Sequence, residues 1–382
     1  MLIRNVGPAL LGVAISLSAS AQGVSVLGQG GTALQKLKLS VVVDQSANLV
    51  SPSDLAFNPI NPNELYVTNF DATSAVLLTF DNAKAPRPIV KANKLKIAPG
   101  SQHFMPYPSA LAFADNGFFA TIHDIEVPTL PTTPGDFMGP TLWTVTAFDG
   151  GHPSHMDMLH NSPSGLGIAW IHGNAYVVND GYHGSLTVYD FRRDHGPGMH
   201  DHSDGVALRY ADGLLKRSEK LPAHVVFDKA SGVAYAVDSG HNRIVSIDLG
   251  LAYKTTADGF DSISLANQDY KATRAIQPNY DGSVQRYVDG AELMTLVEGS
   301  SVGMETPTGL ALHDGILYVS DHAQNTLYAF DRAGKLVDKL KLGDVLNVAA
   351  NAGLAGLEFD AVGRLYVTDL SQNRILRLEV MP

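Results

Sequence analysis

The chain has 382 residues, 45% of them hydrophobic and 17% charged, with 36 Gly and 20 Pro, the composition of a turn-rich globular protein rather than a disordered or collagenous one. A formal net charge of −11, with Lys and Arg scattered, argues against a nucleic-acid or anionic-membrane surface. With no cysteine, disulfides, thiolate chemistry and Cys-zinc sites are excluded, so any metal must rest on His, Asp, Glu, Met or backbone oxygen.

The first stretch, "MLIRNVGPALLGVAISLSASAQG", reads as a secretory signal. Arg4 supplies a positive start, Leu10 to Leu17 is an apolar run too short to span a bilayer, and Ala19-Ser20-Ala21 is a cleavage site. Residues 1–21 are therefore expected to be removed, 22–33 to form a flexible segment, and 34–382 to fold as one domain in the periplasm or outside the cell. No later run of 18 apolar residues follows, so the mature chain is expected to be a soluble monomer without a membrane span.

A repeat then organises the chain. "PSDLAF" begins at Pro52, "PSALAF" at Pro108, "PSGLGI" at Pro163, "PAHVVF" at Pro222, "PTGLAL" at Pro307 and "LAGLEF" at Leu354. A turn and a second strand follow each copy, as in "ELYVTN", "ILYVSD" and "RLYVTD", and then a third, as in "SLTVYDF" and "RILRLEV". Val, Tyr, Leu and Ile bounded by Gly, Asp and Asn are strand-and-turn chemistry. Six such units predict an all-β fold, a six-bladed β-propeller in which each blade buries its faces against its neighbours. The last copy lacks a fourth strand, and "LQKLKLSVVVD", from Leu34 to Asp44, precedes the first. The N-terminal strand is expected to pair in the last blade and close the ring. The longer interruption over residues 250–290 reads as an outer hairpin or excursion from copy four.

"GRLYVTDLSQNRILRL", "GVAYAVDSGHNRIVSID" and "GILYVSDHAQNTLYAFD" resemble NHL repeats. The resemblance covers nearly all of the mature chain and implies the propeller fold. Propellers of this architecture include peptide-amidating lyases, gluconolactonase-like lactonases, virginiamycin lyase and non-catalytic binding propellers, so the likeness does not fix a function. In amidating lyases a zinc-binding His follows the Pro that opens the inner strand, and lactonases often place Asn there. This chain has Ser53, Ser109, Ser164, Ala223, Thr308 and Ala355 at that position, with His224 one residue further on. Those sites do not carry over.

Two groups of histidines remain. On one rim of the channel, called the top, loops lead into the inner strands and join the second strands to the third. His103, His155, His160 and His224 lie at or before inner strands, and His123, Asp124, Asp180, His183, Asp238, His241, Asp321 and His322 follow second strands. His103, His160 and His224 are expected to share a metal, with His123 and Asp180 as acid-base candidates. Asp238, Asp321 and Asp369 sit at the usual Asp of the repeat and read as turn-capping residues. His155, Met156, Met158 and His160 form an imidazole-thioether set that would suit copper, although Met in a loop is more often a gap filler. The Pro-rich insert from Asp124 to Pro140 reads as a lid, with Phe137, Met138 and Trp143 offering apolar contacts.

The second group is "RRDHGPGMHDHSDG", Arg192 to Gly205, between the third and fourth strands of copy three and hence on the opposite, bottom face or outer rim. His195 and His202 are candidate ligands there, and an equal alternative is a loop held by Asp-capped turns with Gly196 and Gly198 in unusual conformations. The function expected is an exported metal-binding propeller holding copper or zinc, in its catalytic form a metal-dependent enzyme acting on a small molecule or peptide at the top of the channel. The alternative is a non-catalytic propeller that binds a protein or glycan.

Overall fold

The computed structural model of the chain describes residues 24–28, 37–85, 90–97, 105–128, 130–133, 139–148, 155–255, 259–344 and 353–380. The signal segment, most of 22–33, and Phe137 and Met138 lie outside the described residues.

Six antiparallel blades form the propeller. From inside outward, blade one comprises Pro52–Phe57, Glu64–Asn69, Ser74–Phe80 and Val90–Ile97, and blade two comprises Pro108–Phe113, Phe118–His123, Thr141–Thr144 and Asp157–Met158. Blade three begins with Gly165–His172, Ala175–Asp180, Ser185–Asp190 and Val206–Tyr210; blade four is Val225–Asp228, Val233–Asp238, Arg243–Asp248 and Met294–Glu298. Blade five is Pro307–His313, Ile316–Asp321, Thr326–Asp331 and Leu336–Lys341. Blade six is Leu354–Phe359, Leu365–Asp369 and Arg374–Val380, and its outer strand is Leu37–Val43, paired antiparallel so that Leu39 faces Leu378. The ring closes as the missing fourth strand predicts.

The repeat has a physical reason at each of its marked positions. Asn242, Asn325 and Asn373 take φ of 51°, 52° and 51° in the turns before the third strands, a left-handed conformation that Asn tolerates better than most residues. The preceding Asp caps the same turn: Asp321 Oδ1 accepts the Ala323 and Gln324 amides, and Asp369 Oδ1 accepts that of Gln372. The residue after the opening Pro ties blade to blade. Ser53 Oγ donates to the Pro108 carbonyl at 2.9 Å, Ser109 Oγ to that of Gly165 at 2.7 Å and Thr308 Oγ1 to that of Leu354 at 2.9 Å. Inner strands approach closely enough that a Cβ on Gly309 would sit 1.8 Å from the Ala355 carbonyl oxygen. Between blades the aliphatic faces are buried: Val177, Val188, Val225, Val245 and Ile247 share one cluster across blades three and four. Each such side chain contributes about 1.5–3 kcal/mol relative to exposure.

Two expectations are corrected and a third is made more specific. The stretch read as a loop leading into copy three contains the two-residue outer strand of blade two, Asp157–Met158, paired to Thr141 and Leu142. Trp143 is no lid residue: it is 1% exposed in the third strand of blade two, and its indole N–H donates to Thr121 Oγ1 at 2.9 Å. The interruption after blade four's third strand is the expected outer hairpin and excursion, and it joins blade three. A hairpin of Leu251–Thr255 and Asp261–Leu265 is followed by Lys271–Ala275 and Val284–Asp289, and the last of these runs parallel to Val206–Tyr210. Blade three thereby becomes six-stranded.

Candidate functional site

The outer strand of blade two and the Arg192–Gly205 loop of blade three lie against each other. The His195 amide donates to the Met156 carbonyl and the Gly198 amide to that of His155, both at 3.1 Å. From the far side the Val284 amide of the excursion donates to the Gly205 carbonyl at 2.9 Å. Gly196 and Gly198 take φ of 80° and 70°, which lets the chain fold back, and Asp194 Oδ1 accepts the Gly196 amide. The loop is thus clamped between two blades.

This clamp collects histidines. Asp157, His195 and His202 each offer one donor atom, all within 4.8 Å of one another, and no other group of three His, Asp or Glu does so among the described residues. His202 Nδ1 lies 2.9 Å from Asp157 Oδ1, and His195 Nε2 lies 3.9 Å from the same oxygen. The ring of His195 meets His202 edge-on at 4.9 Å and His155 at 5.0 Å. His195 Nδ1 is 2.6 Å from the Gly196 carbonyl, so that nitrogen carries the proton, while Nε2 is buried without a hydrogen-bond partner. A backbone carbonyl that holds one ring nitrogen protonated and turns the other toward a carboxylate is the support commonly found behind a metal-bound His. This buried Asp/His/His group could hold a metal ion.

Burial dominates the electrostatics. It pushes the Asp157 carboxyl up to about 6 despite the opposing His202. It lowers His195 and takes His155 down to about 3, with His195, His202 and His200 adding repulsion to any charge on His155. The His155 and His195 imidazoles are therefore favoured in the neutral form that binds metal.

The other sequence candidates are placed as follows. His103 lies outside the described residues. His160 bonds through Nδ1 and its amide to Asp281 of the excursion, and Asn161 bonds to Gln285 beside it. His224 stands just before the inner strand of blade four, with Nδ1 3.6 Å from Asp54 Oδ1. His160 and His224 thus have different carboxylate neighbours, and neither belongs to the Asp157 group. His123 is fully buried, with Nε2 3.1 Å from Thr121 Oγ1. Asp180 accepts the Tyr182 and His183 amides and the Ser162 hydroxyl. Met156 packs against the apolar cluster of blades two and three. Asp157 was not singled out from the sequence; the signal present was its place two residues after His155 and three before His160, in a stretch dense with imidazoles.

The central channel holds a cavity of about 610 Å³ lined by all six inner strands. It lies toward the first-to-second turns, as Asn58, Pro59 and Asp115 in its wall show, on the face opposite to the rim where the sequence placed the site.

A near-all-β ring of six blades defines the class: the protein is a six-bladed β-propeller, as the NHL-like repeats imply. No known protein-family model matches the chain. No curated protein matches it either. Solved structures similar to it include an auxiliary nutrient binding protein from Bacteroides thetaiotaomicron, at 10% identity and a TM-score of 0.49 over 90% of this chain and 76% of that one. A Trichoderma reesei carbohydrate-active enzyme of family AA12 is similar at 12% identity and a TM-score of 0.47, over 94% of this chain and all of that one. Streptogramin B lyase is similar at 9% identity and 0.43, over 91% and 99%. At these identities the similarity is one of fold alone.

Proposed function

We propose that the protein is an exported metal-binding propeller in which a divalent ion, zinc or copper, is held by Asp157, His195 and His202 and fastens blade three's crossing loop to blade two. The observation that carries this reading is His195, whose Nδ1 proton is committed to the Gly196 carbonyl while its buried Nε2 has no hydrogen-bond partner beside a carboxylate. Two imidazole nitrogens and one carboxylate oxygen suit zinc or Cu(II), whereas calcium and magnesium prefer shells of oxygen. Residues this deeply buried favour an ion that staples the fold over one that turns over substrate, since a catalytic ion keeps an open position. Export rests on Arg4, the Leu10–Leu17 run and Ala19-Ser20-Ala21.

Elemental analysis of protein purified without chelators tests the reading. About one equivalent of zinc or copper is expected, lost in Asp157→Asn and His195→Ala and retained in His160→Ala and His224→Ala. Metal-free protein that takes up neither ion on dialysis would refute it.

A further inference from the structure

The channel cavity plays no part in the metal reading, and its chemistry is one-sided. Its lining side chains include the carboxyls of Asp54, Asp115, Glu358 and Asp360 but no Lys, Arg, Ser, Thr, Tyr or Gln. The wall is rich in carboxyl acceptors, its side-chain N–H donors are those of Asn58, Trp170, His224 and His313, and it includes the aromatic side chains of Phe57, Phe227 and Phe359.

Three of the four carboxyls are answered by the protein itself. Asp360 pairs with Arg364 at 2.6 Å. Asp54 has the Leu111 amide at 3.0 Å and His224 at 3.6 Å. Asp115 feels the charge of Lys229, which sits over the Trp170 ring. Glu358 has the Phe359 amide, and no ion pair reaches it among the described residues. His224, two blades away, is 4% exposed, and its Nε2 is a buried polar atom without a hydrogen-bond partner. Both groups belong to the cavity wall.

We propose that this cavity binds a small organic cation, a protonated or quaternary amine, with its charge on Glu358 and Asp54 and its carbon skeleton against the aromatic wall. An ammonium group brings positive charge to a wall that holds four carboxyls and no Lys or Arg, and aromatic rings attract such a cation. The volume matches that of small-molecule sites. A neutral sugar brings no charge to answer the carboxyls. The groups facing Glu358 around the cavity are Asp54, Asp115, His224, His313 and Asp360. Burial and the charge of Asp54 push Glu358 up to about 8, so a cation must draw it into the ionised form.

Calorimetric titration of the full chain with benzylamine, choline and spermidine, against benzyl alcohol and glucose, decides the matter. At least one amine is expected to bind saturably and at least tenfold more tightly than both neutral probes. Its affinity should rise as pH is raised through about 8, and Glu358→Gln should weaken it about tenfold and remove that rise. Absence of saturable binding by every amine, equal binding of benzyl alcohol or glucose, or unchanged affinity and pH profile in Glu358→Gln would each overturn the proposal. Asp157→Asn should leave amine binding intact, which separates this site from the metal.

Discussion

His195 and Asp157 come from different blades, yet His195 Nε2 lies 3.9 Å from Asp157 Oδ1, with both side chains only 2% exposed. Leaving an imidazole lone pair in such a place costs free energy unless something occupies the space between them.

The first prediction concerns stability. An ion bound only by the folded state adds about 2.7 kcal/mol at a hundredfold excess over its dissociation constant. A strong chelator should therefore lower the melting temperature of the native protein by several degrees. The Asp157→Asn variant should melt lower from the outset and respond little to chelator. Scanning calorimetry with and without chelator checks both.

Ring closure gives a second. Leu378 is fully buried and faces Leu39 across the seam between the first and last described strands of the ring. Leu378→Ala removes packing where the two ends of the ring meet, and should cost about 2–5 kcal/mol in denaturant unfolding.

A third prediction separates two ion pairs. Arg209 is 1% exposed, donates to the Asn161 carbonyl at 2.5 Å and lies 3.6 Å from Asp180. Arg209→Met leaves the Asp180 carboxylate buried without that charge, and should cost about 3–5 kcal/mol. Arg274 and Asp212, 3.4 Å apart with side chains 69% and 35% exposed, form a screened pair. Arg274→Ala should cost about 0–1 kcal/mol. Denaturant midpoints of the two variants should differ accordingly.

The fourth concerns pH. Glu358 is pushed from an ordinary 4.5 up to about 8. The folded chain then holds this proton more tightly than the unfolded one, so its favourable contribution is complete below pH 4.5, declines as pH rises and is gone above about 8. Glu358→Gln removes that decline. Unfolding free energies at low and high pH should show a smaller loss toward alkaline pH in the variant than in the native chain.

The ring itself was legible because its evidence repeats: six inner strands, five of them led by Pro, a Tyr-Val second strand, an Asn turn before the third. The position of the Arg192–Gly205 loop followed from counting strands within one blade. Asp157 did not follow, because a strand of two residues carries no period and reads as loop. The Asp281 partner of His160 was equally hidden, since the excursion returns to blade three by a parallel pairing far along the chain. Asp54 and His224 do share the third position of their repeats, in blades one and four, which a six-bladed ring sets opposite each other. That signal was available, and it marks the channel wall rather than the top rim. The raised Glu358 depends on burial, which only the assembled inner strands create.

Crystals of the native protein measured on both sides of the zinc and copper absorption edges test the central claim most directly. An anomalous peak about 2.0–2.2 Å from Asp157, His195 and His202 is the predicted result. The account would be contradicted by no peak there after soaking in either metal, with His195 Nε2 hydrogen-bonded to water or protein instead.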